Sequence, residues 1–492
     1  MAYNSRIIAI KNFIWRLLER VGAQGVTLLV SIIVARLVDP KAYGRVAIVT
    51  VFISVLQVFI DSGFGASLVQ KKDADDLDFS SVFYVNLLFS VILYALLFVA
   101  SPIIAAIYND VGLTSLIRVA SIVILISGVK NIQQAYVTKN LLFKKFFFAT
   151  LGGTIAAGVV GIILAYVGFG VWALVIQNIV NQAIDTIILW LTVEWRPKRF
   201  FSLERVKKLF NFGARILGAN LIAHIYTSVR QLAIGKFYST EKLAYYNQGY
   251  KYPSYLMMNV NSSIDSVLFP IMANKQTDIE KLKQITREAI RLESYILFPI
   301  LMGLGVCASA FVSVILTDKW LPIVPYMRVF CLSFAISSLH TSHFNSLKAV
   351  GRSDLIMKVE VKKKVIDFII LIITLFFGPF VVALGVVMEA IIAVFFTARA
   401  NAPLVNYSFK EQVADVFPSF CMTVFMGTCV IIASFMINSQ SVTSFIIQVL
   451  VGVISYVGIS VVTRNKTMGM VVTLLGSIIG IGNKKTKTID AQ

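Results

Sequence analysis

Residues 79–108 read FSSVFYVNLLFSVILYALLFVASPIIAAIY, thirty residues without one charged side chain. A transmembrane helix needs about 20 predominantly apolar residues, so this stretch is long enough to cross a bilayer. Thirteen further apolar stretches lie on either side of it. They are continuous rather than alternating, which favours helices over the strands of a membrane β-barrel. The sequence therefore predicts an all-α integral membrane protein with about 14 transmembrane helices.

The composition of the chain agrees with this class. Hydrophobic residues make up 58% of the 492 residues and charged residues 14%, whereas a soluble chain needs about a quarter of its residues charged. This excludes a soluble enzyme, a disordered chain and a secreted disulfide scaffold. The four cysteines are scattered through apolar segments without metal-ligand spacing. Neither a metal nor a cofactor is therefore predicted.

The apolar stretches also predict where each helix lies, with boundaries good to a few residues. In chain order, the predicted helices cover residues 13–37, 43–65, 79–108, 113–138, 146–167, 171–193, 209–237, 242–272, 288–317, 322–347, 355–377, 381–404, 415–437 and 442–463.

The distribution of Lys and Arg predicts the orientation, because basic residues collect in the cytoplasmic loops of membrane proteins. With the N-terminus in the cytoplasm, 33 of the 45 basic residues fall in cytoplasmic segments and 8 in outer segments. Fourteen helices with both termini cytoplasmic is the self-consistent arrangement. This asymmetry explains the net charge of +20, so binding of nucleic acid is not predicted. The charged residues 71–78 are expected to form a short solvated loop.

The two halves of the chain resemble each other. Residues 34–44 read VARLVDPKAYG, and residues 234–244, at an offset of 200, read IGKFYSTEKLA. At an offset of 210, GFGVWAL at 168–174 faces GPFVVAL at 378–384. Six helices used twice give both copies the same topology. Such a parallel repeat predicts a symmetry axis along the membrane normal and a substrate cavity between two bundles.

Isolated polar residues align as well. Asp61 faces Asn261 at the first offset, and Arg118 faces Arg328 at the second. The mirrored arginines are therefore expected to serve the shared scaffold.

The repeat defines the predicted domains. They are an N-terminal six-helix bundle (1–200), a C-terminal six-helix bundle (201–408), two additional transmembrane helices (409–464) and a basic cytoplasmic tail (465–492).

At this point the sequence resembles a known family. The stretch ARLVDPKAYG at 35–44, followed by DSGFGASLVQKK at 61–72, is similar to the Wzx-type polysaccharide flippases. These belong to the multidrug/oligosaccharidyl-lipid/polysaccharide exporter superfamily, and the likeness is strongest to the type that serves colanic-acid-like exopolysaccharides. Trp15 and the stretch ERVGAQG at 19–25 also fit. The resemblance covers nearly the whole chain in length, helix number and repeat.

The resemblance implies a transporter rather than an enzyme. Its expected substrate is an undecaprenyl-diphosphate-linked oligosaccharide, moved from the inner to the outer leaflet of a bacterial inner membrane. Such transport would serve exopolysaccharide, capsule or O-antigen (lipopolysaccharide) synthesis. Membrane lipids and other assembly proteins, such as a polymerase, are the expected partners.

The residues themselves suggest how such a head group is bound. A sugar diphosphate cannot cross hydrocarbon without polar partners, and basic residues inside apolar helices usually face a cavity. Arg215 and Arg230 lie 15 residues apart in the predicted helix 209–237, about 22 Å along its axis. Tyr226 lies between them on the same face. Guanidinium groups suit diphosphate oxygens because they donate two hydrogen bonds at once.

Two lysines are further candidates for the cationic cavity. Lys251 lies in the predicted helix 242–272, and Lys130 lies in the predicted helix 113–138, where it faces His340 in the repeat. For all four cations the alternative is a side chain that extends to the lipid headgroups. His340 and His343 are one helical turn apart, a weak metal signal on its own.

Acidic residues within apolar segments are candidates for ion coupling. These are Asp185, Asp367 and Glu389, and none is mirrored in the repeat. Each can bind a proton or sodium for antiport, or pair with a basic neighbour. Glu389 lies deepest in its predicted helix.

Two other functions remain open at this point. A glycan polymerase or glycosyltransferase acting on the same lipid carrier would need a sizeable outer loop, and the predicted outer loops are a few residues long. A cation-coupled drug antiporter of the same superfamily would need an acidic cavity, whereas the residues inside the helices are predominantly basic. The flippase is therefore the favoured interpretation.

Overall fold

The computed structural model describes residues 2–61, 64–437 and 441–471. Within these ranges every regular element is helical, which confirms the predicted all-α class. The α-helices are, in chain order, α1 (Ala2–Leu37), α2 (Pro40–Asp61), α3 (Phe64–Gln70), α4 (Asp76–Tyr108), α5 (Gly112–Ala120), α6 (Ile122–Lys139), α7 (Phe143–Tyr166), α8 (Val171–Thr192), α9 (Leu203–Phe237), α10 (Thr240–Asn274), α11 (Ile279–Val306), α12 (Ala308–Phe311), α13 (Val324–Ala349), α14 (Ser353–Leu375), α15 (Pro379–Val405), α16 (Phe409–Ile437) and α17 (Val442–Val462). A π-helical turn (Val312–Leu316) and a 3-10 helix (Asp318–Ile323) connect α12 to α13. Most of the predicted basic tail, from residue 472 onward, lies outside the described residues.

Several helices are longer than their apolar stretches. α9 begins earlier than predicted, where the Ser202 hydroxyl accepts a hydrogen bond from the Arg205 amide at 3.4 Å. α11 also begins earlier, with the Asp278 carboxylate accepting from the Lys281 amide at 3.1 Å. Such caps satisfy the first free amides of a helix. Hydropathy marks the apolar part of each helix and misses the charged turns that precede it.

Two predicted helices are interrupted in the structure. The stretch 113–138 is divided into α5 and α6 at Ser121. The stretch 288–317 contains the end of α11, the short α12 and the π-helical turn. Apolar residues continue across each break, so the hydropathy pattern carries no sign of it.

Within the described part of the chain, ten helical segments are long and apolar enough to cross a membrane, which makes the chain a multi-pass membrane protein. They are Pro40–Asp61, Asp76–Tyr108, Gly112–Lys139, Phe143–Tyr166, Val171–Thr192, Ile279–Val306, Asp318–Ala349, Pro379–Val405, Phe409–Ile437 and Val442–Val462. The remaining four of the fourteen predicted helices are present as α1, α9, α10 and α14. α1 contains a shorter apolar helix, Gly22–Leu37, and the other three are less apolar or more charged than the ten segments.

The structure divides into two compact units, residues 1–244 and 245–492. In the first unit α7 packs closely on α8. A Cβ atom at Gly153 would lie 2.9 Å from the carbonyl oxygen of Asn181, and one at Gly161 would lie 2.8 Å from the Gln177 side chain. The glycines of α7 therefore permit the close approach of α8. The predicted domain boundary at residue 200 follows the repeat rather than the contacts, and it stays a prediction.

In the second unit α11 packs on α13 and α16. Asp415 of α16 is almost fully buried and accepts hydrogen bonds from Arg287 at 2.7 Å and Arg291 at 2.5 Å, both on α11. The Tyr407 hydroxyl donates to the same carboxylate at 2.8 Å. Two guanidinium groups and a phenol therefore hold α16 against α11.

Contacts of the mirrored residues support the internal repeat. Arg118 donates to the Ser101 hydroxyl at 3.0 Å, and Arg328 donates to the Ser309 hydroxyl at 3.3 Å. Each arginine thus joins its helix to the end of the long helical stretch before it, the role in the scaffold expected from the alignment.

Candidate substrate-binding and ion-coupling residues

Two of the predicted site residues meet in the first unit. The Lys130 ammonium on α6 lies 3.0 Å from an oxygen of Asp185 on α8, and it also donates to the Gln182 side chain. Lys130 is 8% exposed and Asp185 is 6% exposed. The predicted substrate cation and a predicted ion-coupling acid therefore form one buried ion pair.

This pair changes what Lys130 can contribute. A buried lysine beside a carboxylate presents little net charge to an anionic ligand, and removing either partner would leave the other charge uncompensated. Lys130 is therefore not an isolated cation in this structure. Its proposed contact with substrate stays a prediction.

A stripe of polar residues continues from Lys130 along α6. The Asn131 side chain donates to Asp61 on α2 at 3.1 Å, and the Gln57 side chain donates to the Ser127 hydroxyl at 2.5 Å. Sequence reasoning missed these partners. The signal was present in the spacing of Ser127 and Asn131, since residues four apart share one face of a helix.

The predicted arginine helix is present as α9. It is continuous from Leu203 to Phe237, so positions 215 and 230 are separated along its axis as expected. Tyr226 and Arg230 are half-buried and lie one turn apart, and both contact other residues. The Arg215 side chain lies outside the described part of the chain.

Lys251 lies in the second unit, on α10. Its ammonium is half-buried and lies 5.8 Å from the centre of the Tyr252 ring. Among the described residues it forms no ion pair. Lys251 thus differs from Lys130, because no carboxylate of the described chain offsets its charge.

Tyrosines surround Lys251 along α10. The Tyr246 ring lies 5.1 Å from Phe330 of α13, and the Tyr250 ring lies 5.2 Å from the same residue. Sequence reasoning did not single out this aromatic face. Its signal was the density of tyrosine, five in the eleven residues of 245–255. Aromatic rings with a hydroxyl offer both an apolar face and a hydrogen-bonding edge.

The other two predicted acids lie near one lysine in the second unit. Asp367 is buried on α14, and its carboxylate lies 3.9 Å from the Lys364 ammonium. Glu389 on α15 is half-buried and also acts electrostatically on Lys364. Each predicted ion-coupling acid therefore has a basic neighbour, the alternative left open by the sequence.

The two histidines of α13 have different partners. His340 lies 3.0 Å from the Lys363 ammonium and 3.7 Å from Glu360, both on α14. His343 contacts the Asn401 side chain on α15 at 3.3 Å. Although the two histidines are one helical turn apart, they contact side chains of different helices and do not form one site.

Sequence reasoning also missed acidic residues of the second unit. It named three acids inside apolar stretches, yet the predicted helices 242–272 and 288–317 also contain Asp265 and Glu293. Glu293 is fully buried. These residues were overlooked because they lie in helices whose ends are rich in charge.

Apolar cavities lie along the helices of the second unit. One of about 700 Å³ is bordered by α11, α13 and α16, with Phe298, Leu301 and Phe420 among its lining residues. Another, of about 480 Å³, is bordered by α10, α11, α16 and α17. Both can accept hydrocarbon, because their walls are almost entirely apolar side chains.

Comparison with known proteins agrees with these observations. A family model described as "Polysaccharide biosynthesis protein" matches residues 33–325. The chain belongs to this family. The resemblance to polysaccharide flippases is thereby confirmed.

Individual relatives carry related names. The chain is 28% identical to the teichuronic acid biosynthesis protein TuaB of Bacillus subtilis (strain 168) over 61% of this chain and 62% of that protein. It is 23% identical to the lipopolysaccharide biosynthesis protein WzxC of Escherichia coli (strain K12) over 83% of this chain and 84% of that protein. It is also 23% identical to the succinoglycan biosynthesis transport protein ExoT of Rhizobium meliloti (strain 1021), over 70% and 69%.

Solved structures show the same fold. The lipid II flippase MurJ in an inward closed conformation superposes with a TM-score of 0.72 at 15% identity, over 93% of this chain and 99% of that one. An inward-facing multidrug resistance MATE family transporter superposes with a TM-score of 0.60 at 15% identity, over 78% and 96%. The chain therefore shares the fold of these two transporters.

Proposed function

We propose that the protein is a flippase that moves undecaprenyl-diphosphate-linked oligosaccharide from the cytoplasmic to the periplasmic leaflet. One observation carries the proposal. The cationic and aromatic candidates Arg215, Tyr226, Arg230 and Lys251 lie on α9 and α10, two long helices that are less apolar or more charged than the ten candidate spans. Membership of the polysaccharide biosynthesis family and the names of the relatives support the same function.

The head group of the substrate sets the chemistry. Its diphosphate needs hydrogen-bond donors and positive charge throughout the passage. Arg215 and Arg230 supply guanidinium groups about 22 Å apart on α9, and Lys251 supplies an ammonium on α10 whose charge is not offset. The tyrosines of α10 offer ring faces to the sugar units.

The lipid tail has different requirements. It gains nothing from a polar passage and stays in hydrocarbon. The apolar cavities along α11, α13 and α16 provide surfaces for it beside the bundle. The substrate is thus divided, with its charged part on the polar helices and its tail on the apolar ones.

The membrane arrangement is part of the proposal. Fourteen transmembrane helices place both termini in the cytoplasm. Transport by alternating access then opens the binding residues first to the cytoplasmic leaflet and then to the periplasmic leaflet of the bacterial inner membrane. An inside-negative potential assists outward movement of two uncompensated negative charges by about 2.3 kcal/mol per charge per 100 mV. After transport, the lipid-linked oligosaccharide is delivered to a polymerase, which is the expected partner protein.

A drug antiporter is the second candidate, because MATE transporters share the fold. The basic residues of α9 and α10 disfavour it, since like charges repel a cationic drug.

The test uses proteoliposomes containing the full-length protein and radiolabelled undecaprenyl diphosphate carrying a short oligosaccharide. A membrane-impermeant hydrolase added outside measures how much label reaches the outer leaflet. We expect protein-dependent exposure of the label without any change of the glycan. Elongation or transfer of the glycan would favour an enzyme, and export of a cationic dye without lipid movement would favour an antiporter.

A further inference from the structure

Glu293 lies on α11, near the start of the apolar part of that helix. It is the fifteenth of the 28 residues of α11 and follows Arg291 by two residues. Its side chain is nevertheless 0% exposed. A carboxyl group enclosed by packed helices is costly in its ionised form.

The Ser342 hydroxyl of α13 is the hydrogen-bonding group that faces the Glu293 carboxyl group, and Ser342 is itself 0% exposed. Apart from that hydroxyl, neither oxygen of Glu293 has a hydrogen-bond partner among the described residues. One hydroxyl does not compensate a buried carboxylate, because a buried charge needs an opposite charge or several hydrogen bonds.

No neighbouring charge of the described chain neutralises this carboxyl group. The titratable residue that acts on it is Asp265 of α10, whose negative charge would repel an ionised Glu293. Asp265 accepts a hydrogen bond from Asn345 and interacts electrostatically with Lys348.

The charged and titratable groups of the other helices packed on α11 have partners of their own. His343 of α13 contacts Asn401 of α15. Asp415 of α16 is held by the arginines of α11, and the Tyr456 hydroxyl of α17 donates to the Tyr295 carbonyl at 2.8 Å.

The available atoms decide which ligand fits. Hard metal cations take a shell of six or more oxygen ligands or keep several waters. This site offers the two oxygens of Glu293 and the hydroxyl of Ser342, and neither side chain is exposed to solvent. A proton needs no such shell, and it removes the charge that burial penalises.

We propose that Glu293 is a proton-binding site that couples transport to the proton gradient. In this conformation the group is a neutral carboxylic acid whose O–H lies beside the Ser342 hydroxyl. When α10, α11 and α13 rearrange and water enters, the acid releases its proton and leaves a carboxylate. The coupling part rests on the proposed flippase function.

Glu293 differs in this respect from the acids singled out by sequence. Asp185 is paired with Lys130, and Asp367 and Glu389 have Lys364 beside them. Each of those three acids therefore has a positive charge beside it, whereas Glu293 has none among the described residues.

The first experiment detects the proton directly. Infrared difference spectra of the full-length protein in lipid, recorded between pH 5 and pH 9, report the C=O stretch of protonated carboxyl groups. We expect a band at neutral pH that disappears in Glu293→Gln and shifts in Ser342→Ala, while Glu288→Gln, a half-buried position on the same helix, leaves it unchanged. A band that persists in Glu293→Gln would overturn the proposal. If that variant fails to fold, an unshifted band in Ser342→Ala would overturn it instead.

The second experiment tests coupling in the proteoliposomes described above. One proton per cycle makes the wild-type distribution of label respond up to about tenfold to one pH unit of gradient. We expect Glu293→Gln to move the radiolabelled lipid with no response to the gradient, and Glu288→Gln to respond like the wild type. If the distribution of labelled lipid in the wild-type sample does not respond to the pH gradient, the proposed coupling is wrong, but the proposed flippase function is unaffected. Absence of lipid movement in every sample would contradict the flippase, and the infrared result would still decide the proton site.

Discussion

The two units use the same pair of helices in different ways. In the first unit α4 packs on α6, where the Asn86 side chain donates to the Gly128 carbonyl at 3.3 Å. In the second unit α11 packs on α13 and buries Glu293 against Ser342. At the 210-residue offset these two positions correspond to Phe83 and Ile132, which belong to the apolar core of the first unit. The repeated scaffold thus tolerates a titratable group in one copy and an apolar contact in the other.

A second pair of equivalent positions shows the opposite distribution of charge. Asp61 receives a hydrogen bond from Asn131 in the first unit, whereas Asn261 donates to Thr341 in the second, at nearly the same distance of 3.0 Å. The first unit therefore places this charged side chain beside a partner that hydrogen-bonds to it. The comparison teaches that equivalent backbone positions can be used for stability in one unit and for chemistry in the other.

Breaking the buried ion pair of the first unit is the largest expected effect. Lys130→Met leaves Asp185 buried and uncompensated, and we expect a loss of about 3–5 kcal/mol in the free energy of unfolding. Lys130→Met combined with Asp185→Leu removes both charges and should recover most of that loss. Chemical unfolding of the purified protein in detergent measures both values. A single variant as stable as the wild type would show that the pair contributes nothing to the scaffold.

Removing a cation of α9 or α10 is expected to act on transport instead. A charge-assisted hydrogen bond contributes about 1.5–3 kcal/mol, so Arg230→Ala and Lys251→Ala should each slow lipid movement about 10–100-fold with little change in unfolding. The rate of label exposure in proteoliposomes measures this effect. Lys208→Ala is the matched control, because Lys208 lies on α9, is exposed and pairs with Glu204 at 2.7 Å. Normal rates in both cavity variants would contradict the assignment of these residues.

The mirrored arginines should behave alike, because both units use them in the same contact. We expect Arg118→Ala and Arg328→Ala each to lower the free energy of unfolding by about 1–2 kcal/mol. Arg118 also lies 4.2 Å from the centre of the Phe98 ring, which adds about 0.5–1 kcal/mol to its loss. Chemical unfolding of the two variants measures the difference. Transport per folded molecule should remain normal, and a selective loss in either variant would contradict the scaffold role.

The smallest effect concerns the helix caps. The Asp75 carboxylate accepts from the Asp78 amide at 2.9 Å and lies 3.0 Å from Arg205, and these bonds lower the pKa of Asp75. A lowered pKa stabilises the folded state above the ordinary value, and this contribution is lost as pH falls through the folded value. Asp75→Asn should therefore destabilise the protein at pH 7 by less than about 1 kcal/mol, and its difference from the wild type should be smaller at pH 3, which lies below the ordinary pKa of the group. Thermal unfolding at the two pH values checks this, and an equal difference at both would contradict it.

The same cap corrects one expectation from the sequence. Residues 71–78 were expected to form a solvated loop, yet the Asp78 side chain is fully buried. It lies 2.5 Å from the Lys71 ammonium and 3.3 Å from Arg205. A run of charges predicts solvation only when no opposite charge reaches it from elsewhere in the chain. Arg205 is more than a hundred residues away in sequence, so the local pattern could not indicate it.

The linear sequence is sufficient to establish the helical membrane class and the family resemblance, and it predicts the internal repeat. Each depends on patterns within one helix or on comparison of two stretches, because the bilayer demands long apolar helices wherever they pack. The partners of the buried charges were decided by the fold. Lys130 and Asp185 are 55 residues apart, and Glu293 and Ser342 are 49 apart. Whether a buried charge is compensated depends on which helices pack together, and that choice follows from the fit of whole helical surfaces in three dimensions.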